Sequence, residues 1–136
     1  MNKASAGRFF EDFELGATLA CPPARRVGEG AVGVYLALTG DRTAALCGRD
    51  APLHPLVVFH TVLSQTVRPV SFNAKANLGY AELVLRRPVP VGAVIRTEAE
   101  VVGLRETSSG RTGIVWVRTA ARDDDGPVLS LSLIHI

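Results

Sequence analysis

Pro55-Leu56-Val57-Val58-Phe59-His60-Thr61-Val62-Leu63-Ser64-Gln65-Thr66-Val67-Arg68-Pro69 is the stretch on which the reading of this chain turns. Pro55 can open a helix, because a first helical residue has no partner for an N–H. Pro69 closes it, since the residue before a proline is pushed out of the α region. Between them Thr61, Ser64, Gln65 and Arg68 form a narrow polar stripe at i, i+3, i+4 and i+7, while Leu56, Val57, Val58, Phe59, Val62, Leu63 and Val67 are apolar. A helix that is apolar around most of its girth must be buried on most sides. A strand would put Val58, His60, Val62, Ser64 and Thr66 on one face, which fails the test of alternation. The stretch predicts a buried helix.

Downstream, Leu78–Arg87, Val94–Glu106 and Gly113–Arg122 read as strands, with a fourth starting at Val128 and ending near Ser130. Thr107-Ser108-Ser109-Gly110-Arg111 and Asp123-Asp124-Asp125-Gly126-Pro127 supply the turns between them. Short turns imply an antiparallel meander. One buried helix followed by such strands gives an α+β domain with the antiparallel sheet wrapped around one long central helix. Upstream, Val32, Tyr35, Leu36 and Thr39 recur at helical spacing, with Gly40 placed as a C-cap. Gly7–Gly16 reads as a lead-in that pins aromatic side chains onto the body, Pro22 and Pro23 stop regular structure, and Asp41–Pro52 reads as a loop.

At 136 residues with 47% hydrophobic and 21% charged residues, the chain fits one globular domain. A net charge of +2 with scattered basic residues argues against nucleic acid or a membrane surface as partner. Cys21 and Cys47 are too few for a disulfide framework and lack metal-ligand spacing. Met1–Arg8 has no apolar core of the signal-peptide kind, and no apolar run spans a bilayer. A soluble protein of the reducing cytoplasm is expected. Residues 1–130 read as a single domain, and Leu131-Ser132-Leu133-Ile134-His135-Ile136 reads as a non-native tail resembling translated adapter sequence, so His135 is set aside from functional reasoning.

Gly28-Glu29-Gly30-Ala31-Val32-Gly33 matches the dinucleotide-binding pattern in letters alone, because Cys21–Val27 is too polar and too broken by proline to be the buried strand that must precede it. No cofactor is expected. His60, beside the polar stripe, is a candidate general acid or base, weighed against a hydrogen-bonded structural histidine. His54, next to Pro55, reads as a residue at the helix start. With no third ligand nearby, neither points to a metal. Asp41 is a candidate for activating water, against a loop aspartate that caps backbone N–H groups. Arg86, Arg87 and Arg111 could meet phosphates or simply lie solvated at sheet edges.

Val58-Phe59-His60-Thr61-Val62 through Asn73-Ala74-Lys75-Ala76-Asn77-Leu78-Gly79-Tyr80-Ala81-Glu82 resembles the mesaconyl-CoA hydratase (β-methylmalyl-CoA dehydratase) family of the MaoC-like hydratase/dehydratase superfamily. Gly7–Phe13, Gly103–Glu106 and Gly110–Val117 agree in order. The resemblance implies the hot-dog fold, with this chain matching the N-terminal of two hot-dog repeats. It implies reversible addition of water to the double bond of a branched dicarboxylic enoyl-CoA, and an acyl-CoA thioester as substrate. It further implies that backbone N–H groups near the central helix start polarise the thioester carbonyl. Asp41 and His60 are then the expected catalytic residues, and Phe59, Asn73, Asn77, Gly79 and Tyr80 the expected substrate contacts.

The family pattern Gly-Asp-x-Asn-Pro-x-His becomes Gly40-Asp41-Arg42-Thr43-Ala44-Ala45-Leu46 here, so the aspartate is kept and leucine stands at the histidine position. The usual Gly-Asp after a later strand turn is Gly92-Ala93. Leucine cannot transfer a proton, so this half is expected to shape the acyl-CoA pocket and an interface with a second hot-dog repeat or a homodimer partner. The alternatives are a hot-dog thioesterase with Asp41 or Glu82 as base, and a non-catalytic acyl-CoA-binding domain.

Overall fold

The computed structural model describes residues 6–41 and 51–136. In chain order the elements are a 3-10 turn Phe10–Asp12, β1 Thr18–Leu19, β2 Arg25–Arg26, α1 Glu29–Thr39, α2 Pro55–Thr66 running into a π-helical turn Val67–Ser71, β3 Asn77–Leu85, β4 Val94–Glu106, β5 Gly113–Asp123 and β6 Gly126–His135. Pro55 opens α2 as expected. The helix closes later than Pro69, which sits inside the π turn. A proline has no N–H for the carbonyl one turn back and its ring crowds that carbonyl, so the turn widens instead of stopping.

Val57, Val58, Phe59 and Val62 of α2 form one buried cluster with Ile95, Ala121, Val128, Leu129, Leu131 and Leu133 of the sheet. Each such side chain contributes roughly 1.5–3 kcal/mol on burial, so four together outweigh the roughly 1–3 kcal/mol cost of an unpaired buried oxygen on Gln65. Gln65 was expected on the polar stripe and instead points inward, because it shares a helical face with Val58 and Val62. The helix is therefore not engulfed on all sides: Leu56, His60, Ser64 and Val67 lie exposed along its other face.

The six-stranded sheet runs in the order β1-β4-β5-β6-β3, with β2 also paired to β4. β4, β5 and β6 form the expected meander, all pairs antiparallel. β3 does not join it beside β4. It crosses to the far edge and pairs with β6, from Asn77↔His135 to Leu85↔Leu129. This is the hot-dog arrangement, a curled antiparallel sheet around a central helix. β6 runs on past Ser130 to His135, with Leu131 and Leu133 continuing the inward alternation of Leu129. Two short strands in the lead-in, β1 and β2, border β4 where no regular structure was expected. A second cluster joins Phe13 and Leu19 of the lead-in to Val70, Ala99, Val101, Val115 and Val117. There Phe10 lies so close over Gly113 that a Cβ on residue 113 would fall inside the ring.

Candidate functional site

The start of α2 is built around His54. Its Nδ1 accepts the Leu56 N–H at 3.1 Å, Pro55 has no N–H to offer, and the Val57 and Val58 N–H groups donate to the His54 carbonyl at 2.9 and 3.3 Å. The first turn thus has no unpaired donor. The N–H groups of Leu56, Val57 and Val58, near where the family resemblance expects donors to a thioester carbonyl, are bonded within the helix start. The cause is local: an imidazole preceding Pro55 folds back as an N-cap, as Ser or Asp more commonly do.

The other ring nitrogen, Nε2, lies 3.1 Å from Asp41 Oδ2, both side chains being about a quarter exposed. Because Nδ1 accepts, the proton of the neutral ring sits on Nε2 and is donated to the carboxylate. Tyr35 of α1 stacks on the same ring with centroids 4.8 Å apart. Gly40 takes the left-handed conformation at φ 66° that ends α1 and turns the chain toward Asp41. Leu46 and the rest of residues 42–50 lie outside the described residues.

The other expected residues fall elsewhere. His60 and Phe59 rings approach to 5.1 Å, and Tyr80 of β3 meets Phe59 edge-on at 5.7 Å. Asn77 and Gly79 begin the same strand, where the Asn77 side chain accepts the Gly79 N–H at 3.1 Å. His60 lies exposed on α2, and the structure pairs Asp41 with His54. Asn73 is apart from both groups, its amide donating to the Ala6 carbonyl at 3.0 Å. Arg86 and Arg87 are tied down by Ser130 and by the buried Asp123 respectively. Glu82 is exposed on β3.

A cavity of about 190 Å³ opens at the other end of α2, lined among others by Arg8, Phe10, Asn73, Lys75, Arg111 and His135. His135 is only 5% exposed, and neither ring nitrogen has a hydrogen-bond partner among the described residues. Burial therefore lowers its pKa from the usual histidine value. Among the described residues no group of three His, Cys, Asp or Glu side chains could hold a metal ion, and no helix is long and apolar enough to cross a membrane. The pairing of His54 with Asp41 was the feature missed from sequence. Its one local signal is a histidine directly before the helix-opening proline.

No family model matches the chain. It is 44% identical over 133 residues to mesaconyl-CoA hydratase of Cereibacter sphaeroides, covering 91% of this chain and 39% of that protein. It is 40% identical over 126 residues to β-methylmalyl-CoA dehydratase of Chloroflexus aurantiacus, covering 86% and 36%. Among solved structures, a MaoC domain protein from Chloroflexus aurantiacus superposes with a TM-score of 0.91 at 36% identity, over 99% of this chain and 41% of the other. A Mycobacterium tuberculosis protein with a double hotdog fold gives 0.84 at 26% identity, over 95% and 43%. The chain spans about two fifths of the length of the curated relatives it matches. It is a hot-dog domain that resembles part of the mesaconyl-CoA hydratase and β-methylmalyl-CoA dehydratase group of the MaoC-like hydratases and dehydratases.

Proposed function

We propose that this chain is one hot-dog half of a hydratase/dehydratase that reversibly adds water to mesaconyl-CoA, and that it mainly forms the acyl-CoA pocket and the interface with a second hot-dog unit. The observation that carries the reading is the set of exposed apolar side chains on β3 and α2. β3 is an edge strand, yet Leu78, Tyr80, Leu83 and Leu85 along it are 39–50% exposed, and on α2 Leu56 is 44% and Val67 41% exposed. An apolar, unpaired edge of this kind is an association surface in a stable protein. The greater length of the relatives and the double hotdog fold of one neighbour supply the partner it suits.

In this reading Asp41 and His60 contribute the polar chemistry, and Phe59, Asn73, Asn77, Gly79 and Tyr80 the contacts to substrate. Hydration places an oxygen on the β-carbon and develops negative charge on the thioester oxygen, which needs donors aimed at it. The occupied first turn of α2 leaves those donors to the second unit. The test is an assay of mesaconyl-CoA with this chain joined to the remaining length of the Cereibacter sphaeroides relative, following loss of the enoyl-thioester absorbance. Hydration supports the reading. Release of free CoA thiol favours a thioesterase, and thermal stabilisation by acyl-CoA without turnover favours a binding domain.

A further inference from the structure

We propose that His54 is a positioning residue for Asp41 and not a proton shuttle. This rests on the proposed function and deepens it. A shuttle needs a free lone pair on the ring, and both ring nitrogens are committed: Nδ1 to the Leu56 N–H at 3.1 Å, Nε2 to Asp41 Oδ2 at 3.1 Å. Stacking of Tyr35 at 4.8 Å holds the plane of the ring. The Nε2–H tautomer therefore gives one oxygen of Asp41 a fixed hydrogen-bond donor.

The consequence for hydration can be written with its atoms balanced. The Asp41 carboxylate takes one proton from water as the water oxygen bonds to the β-carbon. The π electrons pass to the thioester carbonyl, and the α-carbon then takes the proton back from Asp41, giving the 3-hydroxyacyl thioester. His54 enters none of these bonds. It sets where the carboxylate stands, which is the task left when leucine occupies the histidine position of the family pattern.

Two isosteric substitutions separate this role from simple helix capping. The amide nitrogen of glutamine reaches about where Nε2 stands, and the carbonyl oxygen of asparagine about where Nδ1 stands. In the chain joined to the remaining length of its relative, His54→Ala is expected to lower kcat for mesaconyl-CoA hydration roughly ten- to hundredfold, with KM changed less than about twofold. His54→Gln should restore most of the rate and His54→Asn should not. Added to Asp41→Asn, His54→Ala should cost nothing further. Rescue by Asn and not Gln, or an additive loss in the double variant, overturns the proposal. The 136-residue chain itself offers a readout independent of activity: nitrogen NMR of the His54 ring should show the Nε2–H tautomer, and an Nδ1–H or averaged ring overturns the proposal. If the joined wild type hydrates nothing while the Nε2–H tautomer is present, the proposed function fails and the pairing stands.

Discussion

The side-chain amide of Gln65 on α2 donates to the backbone carbonyl of Ile95 on β4 at 3.3 Å, inside an otherwise apolar contact between helix and sheet. Its Oε1 has no partner. Gln65→Leu removes both the bond and the unpaired oxygen at similar volume, so unfolding by urea should show a change below about 1.5 kcal/mol. Gln65→Glu would set a carboxylate against the Ile95 carbonyl and should cost about 2–4 kcal/mol at neutral pH. A Glu variant as stable as the parent would place residue 65 outside the core.

Gly113 should not tolerate a methyl group. A Cβ there enters the Phe10 ring, and overpacking of this kind costs roughly 1–3 kcal/mol. Gly113→Ala should lower the thermal midpoint clearly. In a Phe10→Ala background the same change should cost much less, because the ring it collides with is gone. Equal costs in the two backgrounds would show that the lead-in does not pack on β5.

Cys21 should react slowly. Burial raises its pKa above the usual thiol value, and the Glu98 charge adds to the shift by disfavouring the thiolate. In a Cys47→Ser variant, alkylation by iodoacetamide at mildly alkaline pH should be several-fold slower in the folded chain than in urea. Faster labelling of the folded chain contradicts that environment.

Stability should fall on mild acidification through His135. Its folded-state pKa is lowered from the ordinary histidine value by burial, so the unfolded chain takes up a proton more readily. The stabilisation it provides is complete above the unfolded value and is lost as pH falls through that range. Urea midpoints at about pH 7.5 and about pH 5 should differ by an amount that His135→Leu reduces. An unchanged difference in that variant would remove His135 as the cause.

Much of the fold was legible because it is carried by local periodicity. Val94–Glu106 emerges with the boundaries its alternation suggested, and α2 opens at Pro55. What stayed hidden is non-local. The two-residue strands β1 and β2 are too short for any period, and Leu78–Leu85 reads as a strand without revealing that its partner is β6 at the far edge. The inward turn of Gln65 was readable in hindsight from its spacing to Val58 and Val62, and the chemical class of the side chain misled. At the site, Asp41 and His60 were each nameable, yet the pair the fold makes is Asp41 with His54. Twelve residues stand between those two in the sequence, and their composition carries no period from which contact can be read.

The central claim is that this chain supplies a pocket and an interface but completes a hydratase only with a second hot-dog unit. The direct measurement compares mesaconyl-CoA turnover by the folded 136-residue chain alone with turnover by the same residues joined to the remaining length of the relative. The expected result is turnover by the joined protein and little or none by the isolated half. Robust hydration by the isolated half would contradict the account.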